Sequence, residues 1–515
     1  MDIHDQKAVI AFLRDPESYG RPGPVDIIET HISLVFLIDG LAFKLKRAVK
    51  LPYADFSTPD LRLAFCRREV ELNARTAPEL YLGIRRITRE ANGQLAFDGA
   101  GQTIDAVVEM RRFSQDCLFD RMASEDRLTS ALMEQIARMV TAFHASAPAA
   151  QDGSGSANMS GVLDINERGF ATSHLFPAED VTTLNAAFRA ALSGHAAALD
   201  ARAEMGMIRL CHGDLHLRNI YLSEAGPQLF DCIDFNDQIA TVDILYDLAF
   251  LLMDLWHRGF RHFANTVMNN YLDVAGDDRG YTLLAFFMAV RAAVRAHVTA
   301  TQIEENGDPD GTLTRGARAY FDLASALLAQ TTRALVVVGG LSGSGKSTLA
   351  EALAPALGLP PGARILESDR IRKAMYAVEP AERLPTEAYS PEVSRKVYDT
   401  LYAKAGVIIE AGGTVIVNAV FDHEEQKVEI EAVAKTVGIP FIGLWLEADI
   451  ETLMARVRNR AKGASDATTN VLEHQLAHDA GRITWHRIDA SQPQGAVLAT
   501  AQGACQALLH PANGY

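Results

Sequence analysis

The chain has 515 residues, 48% of them hydrophobic and 22% charged, and its 49 Lys and Arg against 65 Asp and Glu give a formal net charge of −16. That composition excludes a disordered or fibrous chain, and the length calls for roughly two or three cores of ordinary size. The acidic balance also argues against a broad nucleic-acid-binding face, which sets Lys and Arg against phosphates, yet it leaves room for small phosphorylated ligands that need only local positive charge. Five widely spaced cysteines, Cys66, Cys117, Cys211, Cys232 and Cys505, form no C-x-x-C pair, so neither a disulfide framework nor a zinc site is expected. The start, Met-Asp-Ile-His-Asp-Gln-Lys, lacks the regions of a signal peptide, and no run of about eighteen uncharged apolar residues follows. A cytoplasmic protein without a membrane partner is the expectation.

In chain order, Ser33 to Ile38 reads as a strand, Asp39-Gly40 as a hairpin turn, and Leu41 to Lys46 as the returning strand. Pro59 to Thr76 has helical spacing. Ile104 to Met110 is a further strand, and the pattern is helical from there to His144. Ala145 to Gly161, rich in Ala, Ser and Gly, reads as a mobile surface loop. Pro177 to Glu204 and Thr241 to Leu328 are helical, with Arg291 and Arg295 expected as buried arginines paired to carboxylates. From Ala334 onward strands and helices alternate, with strands at Ala363 to Glu367, Thr414 to Asn418, Phe441 to Leu446 and Thr484 to Asp489. Such alternation predicts a parallel α/β sheet with right-handed crossovers. The change of character sets the expected domains at 1–330 and 331–515.

Two constellations carry chemistry. Residues 208–219 read Ile-Arg-Leu-Cys-His-Gly-Asp-Leu-His-Leu-Arg-Asn, and Leu229-Phe-Asp-Cys-Ile-Asp-Phe-Asn236 follows. The spacing His212-x-Asp214, then Asn219, then Asp234-Phe235 is what phosphoryl transfer to a hydroxyl needs. Asp214 can accept or orient the proton of the attacking hydroxyl, Asn219 can hold one Mg²⁺, and Asp234 can bridge metals between phosphates. The ordered set resembles the aminoglycoside phosphotransferase and choline kinase branch of the protein-kinase-like fold, over most of residues 20–325. The resemblance implies an α+β protein-kinase-like N-terminal domain using ATP. It implies a strand lysine on the phosphates, for which Lys44 is preferred over Lys46, and a helix glutamate that positions it, Glu69 before Glu71. It also implies a hinge around Met110 whose backbone meets adenine. His216, Asp243 and Asp247 are expected to be structural, and the phosphate-covering turn near Glu29 to Ser33 departs from the family by having no glycine run. Asp254, Trp256 and His257 are candidates for lining an acceptor pocket.

The second constellation is Gly340-Leu-Ser342-Gly343-Ser344-Gly345-Lys346-Ser347-Thr348, directly after an apolar strand. Glycines there let backbone N–H groups close around phosphate oxygens. Lys346 then reaches the β- and γ-phosphates, and the Ser347 hydroxyl ligates Mg²⁺ at a helix N-terminus. This is a P-loop, which defines an α/β P-loop NTPase domain with a parallel sheet. At the next strand end, Ser368-Asp369-x-x-Arg372 looks like the element of zeta-toxin-like, polynucleotide-kinase-like and gluconate-kinase-like enzymes, which implies Asp369 as the base facing an acceptor hydroxyl and Arg372 as its partner. Arg456 and Arg460 share a helical face, and in those relatives such arginines lie in a lid and stabilise charge on the transferred group. Ser465-Asp466 and Gln475 are expected as lid or structural elements. Asn418 stands where relatives often carry Asp, so metal handling is expected to rest on Ser347 and Asp369. The combined expectation is an ATP- and Mg²⁺-dependent enzyme with two kinase-type sites acting on small-molecule hydroxyls. Its alternatives are that one domain is a silent ATP-binding regulator of the other, or that the C-terminal domain is a nucleic-acid-end kinase.

Overall fold

In the computed structural model the described residues are 6–30, 32–51, 54–150, 153–329, 331–379, 381–459, 465–477 and 480–509. They form two compact units, Met1–Val162 with Gly194–Asp254, and Leu163–Ser193 with Leu255–Tyr515.

The first unit begins with a six-stranded antiparallel sheet in the order Asp26–Glu29, Ser33–Ile38, Leu41–Lys46, Gln102–Arg111, Tyr81–Arg89, Leu95–Phe97. The hairpin is the expected one, with Ile38 opposite Leu41 and Asp39 in the left-handed region that an Asp-Gly turn uses. Period-two alternation buries Leu34, Phe36, Ile38, Phe43 and Leu45 on one face with Ile87, Ile104 and Val107. The other face packs Ala42, Ala106, Val108 and Met110 against Cys66 and Tyr81. Helix Pro59–Asn73 starts at Thr58, whose Oγ1 accepts the Leu61 amide. It is clamped to the sheet by Arg62, fully buried, whose Nε and Nη2 donate to the buried Asp105 carboxylate at 2.7 and 2.8 Å. Seven residues on, two helical turns later, that clamp carries Glu69 against the lysine strand.

Below the sheet lies the segment that bears the catalytic motif. It is framed by the antiparallel pair Ile208–Leu210 with Thr241–Asp243, the hairpin Ile220–Ser223 with Gly226–Leu229, and helices Ser130–Ser146 and Ile244–His257. The expected loop over 145–161 is a correction. Helix Gly155–Ala171 starts within it, because Asp200 reaches in from another helix and accepts the Ser156 amide at 2.9 Å and the Ser154 hydroxyl at 2.6 Å.

In the second unit, helices Arg261–Ala275, Leu284–Asn306 and Thr312–Leu327 precede a five-stranded parallel sheet in the order Arg364–Glu367, Val415–Asn418, Leu335–Gly340, Phe441–Glu447, His486–Asp489. All five strands fall where the sequence pattern puts them. Residues Gly280–Glu305 are long and apolar enough to cross a membrane by composition, at mean hydropathy 1.4, but 78% of that window is buried in the fold, as befits a core helix. Within it Arg295 lies over the Tyr320 ring, 5.6 Å from its centroid, a cation–π contact. The five cysteines are free thiols, four of them buried.

Candidate active sites

Lys44 and Lys46 project from the same face of their strand, and both reach Glu69. Lys44 Nζ lies 2.8 Å from Glu69 Oε1, and Lys46 Nζ lies 2.8 Å from Oε2. Each lysine has a second carboxylate from the 231–234 segment, Asp231 for Lys44 and Asp234 for Lys46, both at 2.6 Å. Glu71, the other sequence candidate, instead pairs with Arg68 on the surface. Burial opposes ionisation of Glu69, yet the two lysines hold its carboxyl down at about 2. Burial dominates at Asp234 and pushes it up to about 6 against the pull of Lys46, with Glu69 adding to the rise. Asp231 was not singled out in the sequence. It sits in the left-handed region, with its amide donating to the Tyr81 hydroxyl at 3.1 Å.

The catalytic motif forms a tight loop facing these groups. Asn219 Nδ2 donates to both the Asp214 carbonyl and Oδ2 at 2.9 Å, and His216 Nε2 lies 3.3 Å from the same carboxylate oxygen. Asp214 is thus aimed by two neighbours while remaining more than a third exposed. His212 is buried and structural. Its Nε2 donates to the Phe230 carbonyl at 2.9 Å, which leaves Nδ1 to accept the Asp214 amide at 3.3 Å. Beneath, Asp247 accepts the amides of His212 and Gly213 at 3.1 and 2.8 Å and faces His144 Nε2 at 3.1 Å. Gly213 has φ +82°, and a Cβ there would meet Ile233 at 2.8 Å, so this turn requires glycine. Asp243 is held by Arg202 at 2.6 and 2.8 Å. Both aspartates brace the loop's surroundings, as expected. Asp254 does too, since it is buried and accepts the Leu217 amide at 3.1 Å, which corrects its assignment to an acceptor pocket. Met110 lies inside a strand paired on both sides, to Ala42 and Tyr81. The amides of Arg111 and Arg112 already donate to Leu80 and Gly40 carbonyls. The Met110 side chain is buried with Ala42 and Tyr221.

In the second unit the glycine-rich loop joins the central strand to the N-terminus of helix Lys346–Leu353, an end that favours anions. Gly343 and Gly345 have φ +86° and +91°, and a Cβ on Gly343 would lie 2.8 Å from the Leu453 carbonyl. Gly340, Ser342 and Ser344 are buried in the floor of the loop, and Thr348 faces solvent. The Lys346 ammonium donates to the Leu341 carbonyl at 3.1 Å, and Gln475 Oε1 accepts the Ser342 amide at 3.0 Å.

Ser347 has two partners. Its Oγ donates to Glu367 Oε1 at 2.6 Å and accepts from Asn418 Nδ2 at 3.0 Å. Glu367 and Asn418 are register partners at the carboxyl ends of adjacent parallel strands, the edge where ligands of open α/β sheets bind. The carboxylate missing at Asn418 is thus supplied from the neighbouring strand. Sequence reasoning looked past Glu367 to Asp369, because an acid ending a strand carries no spacing signal of its own.

Asp369 lies in the first turn of helix Ser368–Met375, and among the described residues its side chain has no hydrogen bond or ion pair. Arg372 lies three residues on along the same helix. It is 7% exposed, donates to the Ala388 carbonyl at 2.7 Å and stacks on Tyr389, so it anchors the turn on that flank. Asp466 ties the same flank together through Lys373, the Leu384 amide and the Tyr389 hydroxyl. Arg456 donates to the Ala490 carbonyl at 2.8 Å. That residue follows the last strand, and the helix bearing Arg456 packs on the glycine-rich loop, where the Leu453 carbonyl and Val457 lie against Gly343. Arg460 lies outside the described residues.

The donor sets fit Mg²⁺, which takes hard oxygen ligands: Asn219 and Asp234 in one site, Ser347 and Glu367 in the other.

A sheet-borne lysine and glutamate over a His-x-Asp loop, and a P-loop on a parallel sheet, define the class: the chain is a phosphotransferase enzyme with a kinase-like domain followed by a P-loop kinase domain. Residues 117–287 match the family model described as the phosphotransferase enzyme family, and residues 335–479 match one described as an AAA domain. Over 480 residues the chain is 28% identical to a Mycobacterium tuberculosis protein described only as uncharacterised, covering 91% of this chain and 93% of that one. A 152-residue stretch is 28% identical to adenylyl-sulfate kinase of Myxococcus xanthus, covering 28% of this chain and 78% of that enzyme. Among solved structures, a choline/ethanolamine kinase family protein from Mesorhizobium loti covers 63% of this chain and 95% of its own, at 15% identity and a TM-score of 0.40.

Proposed function

We propose that the protein is a cytoplasmic ATP- and Mg²⁺-dependent kinase with two active sites, in domains 1–330 and 331–515, each transferring a γ-phosphoryl group to a hydroxyl of a small molecule. The observation that carries this reading is that each half combines a lysine, oxygen ligands suited to a divalent cation and a separate carboxylate left for the acceptor. Those carboxylates are Asp214 and Asp369. Bound ATP with Mg²⁺ supplies the transferable group and neutralises charge on its oxygens.

In the first site Asp214, aimed by Asn219 and His216, orients the acceptor hydroxyl and receives its proton as the oxygen attacks. Lys44, positioned by Glu69, fixes the phosphates, while Asn219 and Asp234 hold the metal. The base meets the chain around Met110, which belongs to the apolar cluster with Ala42 and Tyr221. In the second site the loop amides and Lys346 hold phosphates, Ser347 and Glu367 hold the metal, and Asp369 takes the acceptor proton. Arg456, on the helix packed against the loop, stabilises charge on the transferred group.

The test is a metabolite-library screen for ATP consumption by wild type, Asp214→Asn and Asp369→Asn. Each variant is expected to lose about 10²- to 10⁴-fold in turnover on one set of acceptors and to keep the other set. If either variant leaves every phosphotransfer unchanged, that half is not a kinase.

A further inference from the structure

We propose that Asp273, on helix Arg261–Ala275, is a positioning residue for the phosphate-loop site and acts through Arg370 on Glu367. The inference rests on the kinase reading of that site.

The route is continuous. Ser347 Oγ donates to Glu367 Oε1 at 2.6 Å, Arg370 Nε lies 3.2 Å from Glu367 Oε2, and Arg370 Nη1 lies 2.9 Å from Asp273 Oδ2 while also donating to Asn270 Oδ1 at 3.2 Å. The other Asp273 oxygen, Oδ1, lies 2.6 Å from Arg364 Nη2. Arg364 itself is anchored without Asp273. Its Nε donates to Asp278 at 2.9 Å, and its Nη1 to Asn269 Oδ1 at 3.0 Å and to the Ile365 carbonyl at 2.9 Å. The helices are further stitched to this edge of the sheet by Asn265, which donates to the Pro361 and Ala363 carbonyls, and by Tyr281, which donates to the Gly362 carbonyl. Attachment of helix to sheet therefore has many supports, whereas Asp273 Oδ2 serves Arg370.

That carboxylate balances a guanidinium placed beside Glu367, the acidic side chain bonded to Ser347. With Asp273 in place, Arg370 divides itself between two carboxylates, and Glu367 keeps an oxygen for Ser347 and a cation. With Asp273 neutral, Arg370 keeps Asn270 as a weaker partner on that side and draws more strongly on Glu367, competing with the cation for its carboxylate. A residue from the helical segment, outside the P-loop domain in sequence, thereby sets how strongly the second site answers to Mg²⁺.

The experiment is a Mg²⁺ titration of ATP binding to the full chain, with the phosphate-loop contribution defined as the part that Lys346→Ala removes. Asp273→Asn is expected to raise the Mg²⁺ concentration for half-maximal binding by about tenfold. Binding in EDTA, and the part that survives Lys346→Ala, are expected to stay unchanged, and Asp273→Glu to stay close to wild type. In an Arg370→Gln background, Asp273→Asn is expected to have no further effect, the signature of action through Arg370. An unchanged Mg²⁺ midpoint in Asp273→Asn overturns the proposal, as does a shift that persists undiminished in the Arg370→Gln background. Should Asp273→Asn not fold, a Mg²⁺ midpoint that Arg370→Lys leaves at the wild-type value also overturns it. If Lys346→Ala removes no ATP binding, the kinase reading of the loop falls first and carries this proposal with it.

Discussion

Two lysines on one glutamate divide the work of a single ion pair. Lys46 and Glu69 are each 1% exposed, and Asp234 is nearly as buried, whereas Asp231, the second partner of Lys44, is 45% exposed. Removing a partner from a buried pair leaves an uncompensated charge in low dielectric. Lys46→Met is therefore expected to destabilise the first unit by about 3–5 kcal/mol, read as a lowered urea midpoint. Lys44→Met should cost less stability and more ATP affinity, because Lys44 is the more accessible of the two, and a nucleotide titration beside the unfolding curves separates the effects. Period two in the sequence places both lysines on one face but cannot say which of them meets solvent. The motif residues Asp214, Asn219 and Asp234 are legible because their chemistry demands fixed spacing within one loop. Glu367 is not, since its role arises from a lateral register with Asn418 that joins strands about fifty residues apart. Arg372 illustrates the converse: its type and spacing fit a phosphate ligand, but packing turns it onto Tyr389 and a carbonyl.

Elements were legible wherever apolar periodicity was strong. The hairpin at Ser33–Ile38 and Leu41–Lys46 and all five parallel strands follow from alternation and from β-branched runs. Helix Gly155–Ala171 escaped because its start is small and polar, and the carboxylate that organises it comes from Asp200 on another helix. Helix Leu284–Asn306 illustrates how an apolar element hides a titratable group. His297 is buried, its Nε2 donates to Asn166 Oδ1 at 3.1 Å, and burial pushes its pKa from 6.5 down to about 4. A depressed histidine pKa means the unfolded chain takes up the proton first, so this contribution to stability is complete above pH 6.5 and is lost as pH falls towards 4. His297→Gln is expected to flatten the decline of the urea midpoint over that window. An equally steep decline in the variant would assign the acid sensitivity to other groups.

At the scale of the whole molecule, the matched families and the compact units divide the chain differently. The family models cover 117–287 and 335–479, whereas compactness separates residues on either side of Asp254 and Leu255 and puts the helices from Arg261 onward with the P-loop sheet. The buried Arg364 shows why, as its acidic partners Asp273 and Asp278 both precede the P-loop strand by more than fifty residues. A fragment starting at Arg333 strips those partners, so it is expected to unfold at lower urea than a fragment starting at Leu255, followed by tryptophan fluorescence; equal midpoints would show that the helices add nothing. Fold class was readable because each half has its own motif, but this exchange of helices was not, since no local pattern announces a partner so far along the chain. The same exchange bears on biosynthesis. Phe170 and Phe176 pack against Phe321, and Leu163–Ser193 belongs to the unit that otherwise begins at Leu255. At roughly 5–20 residues per second of translation, those rings emerge from the ribosome on the order of 10–30 s before the helix that covers them. For that interval the nascent chain presents an apolar helical face while the preceding sheet is already able to fold, and this is the stage at which a chaperone would find the most to hold.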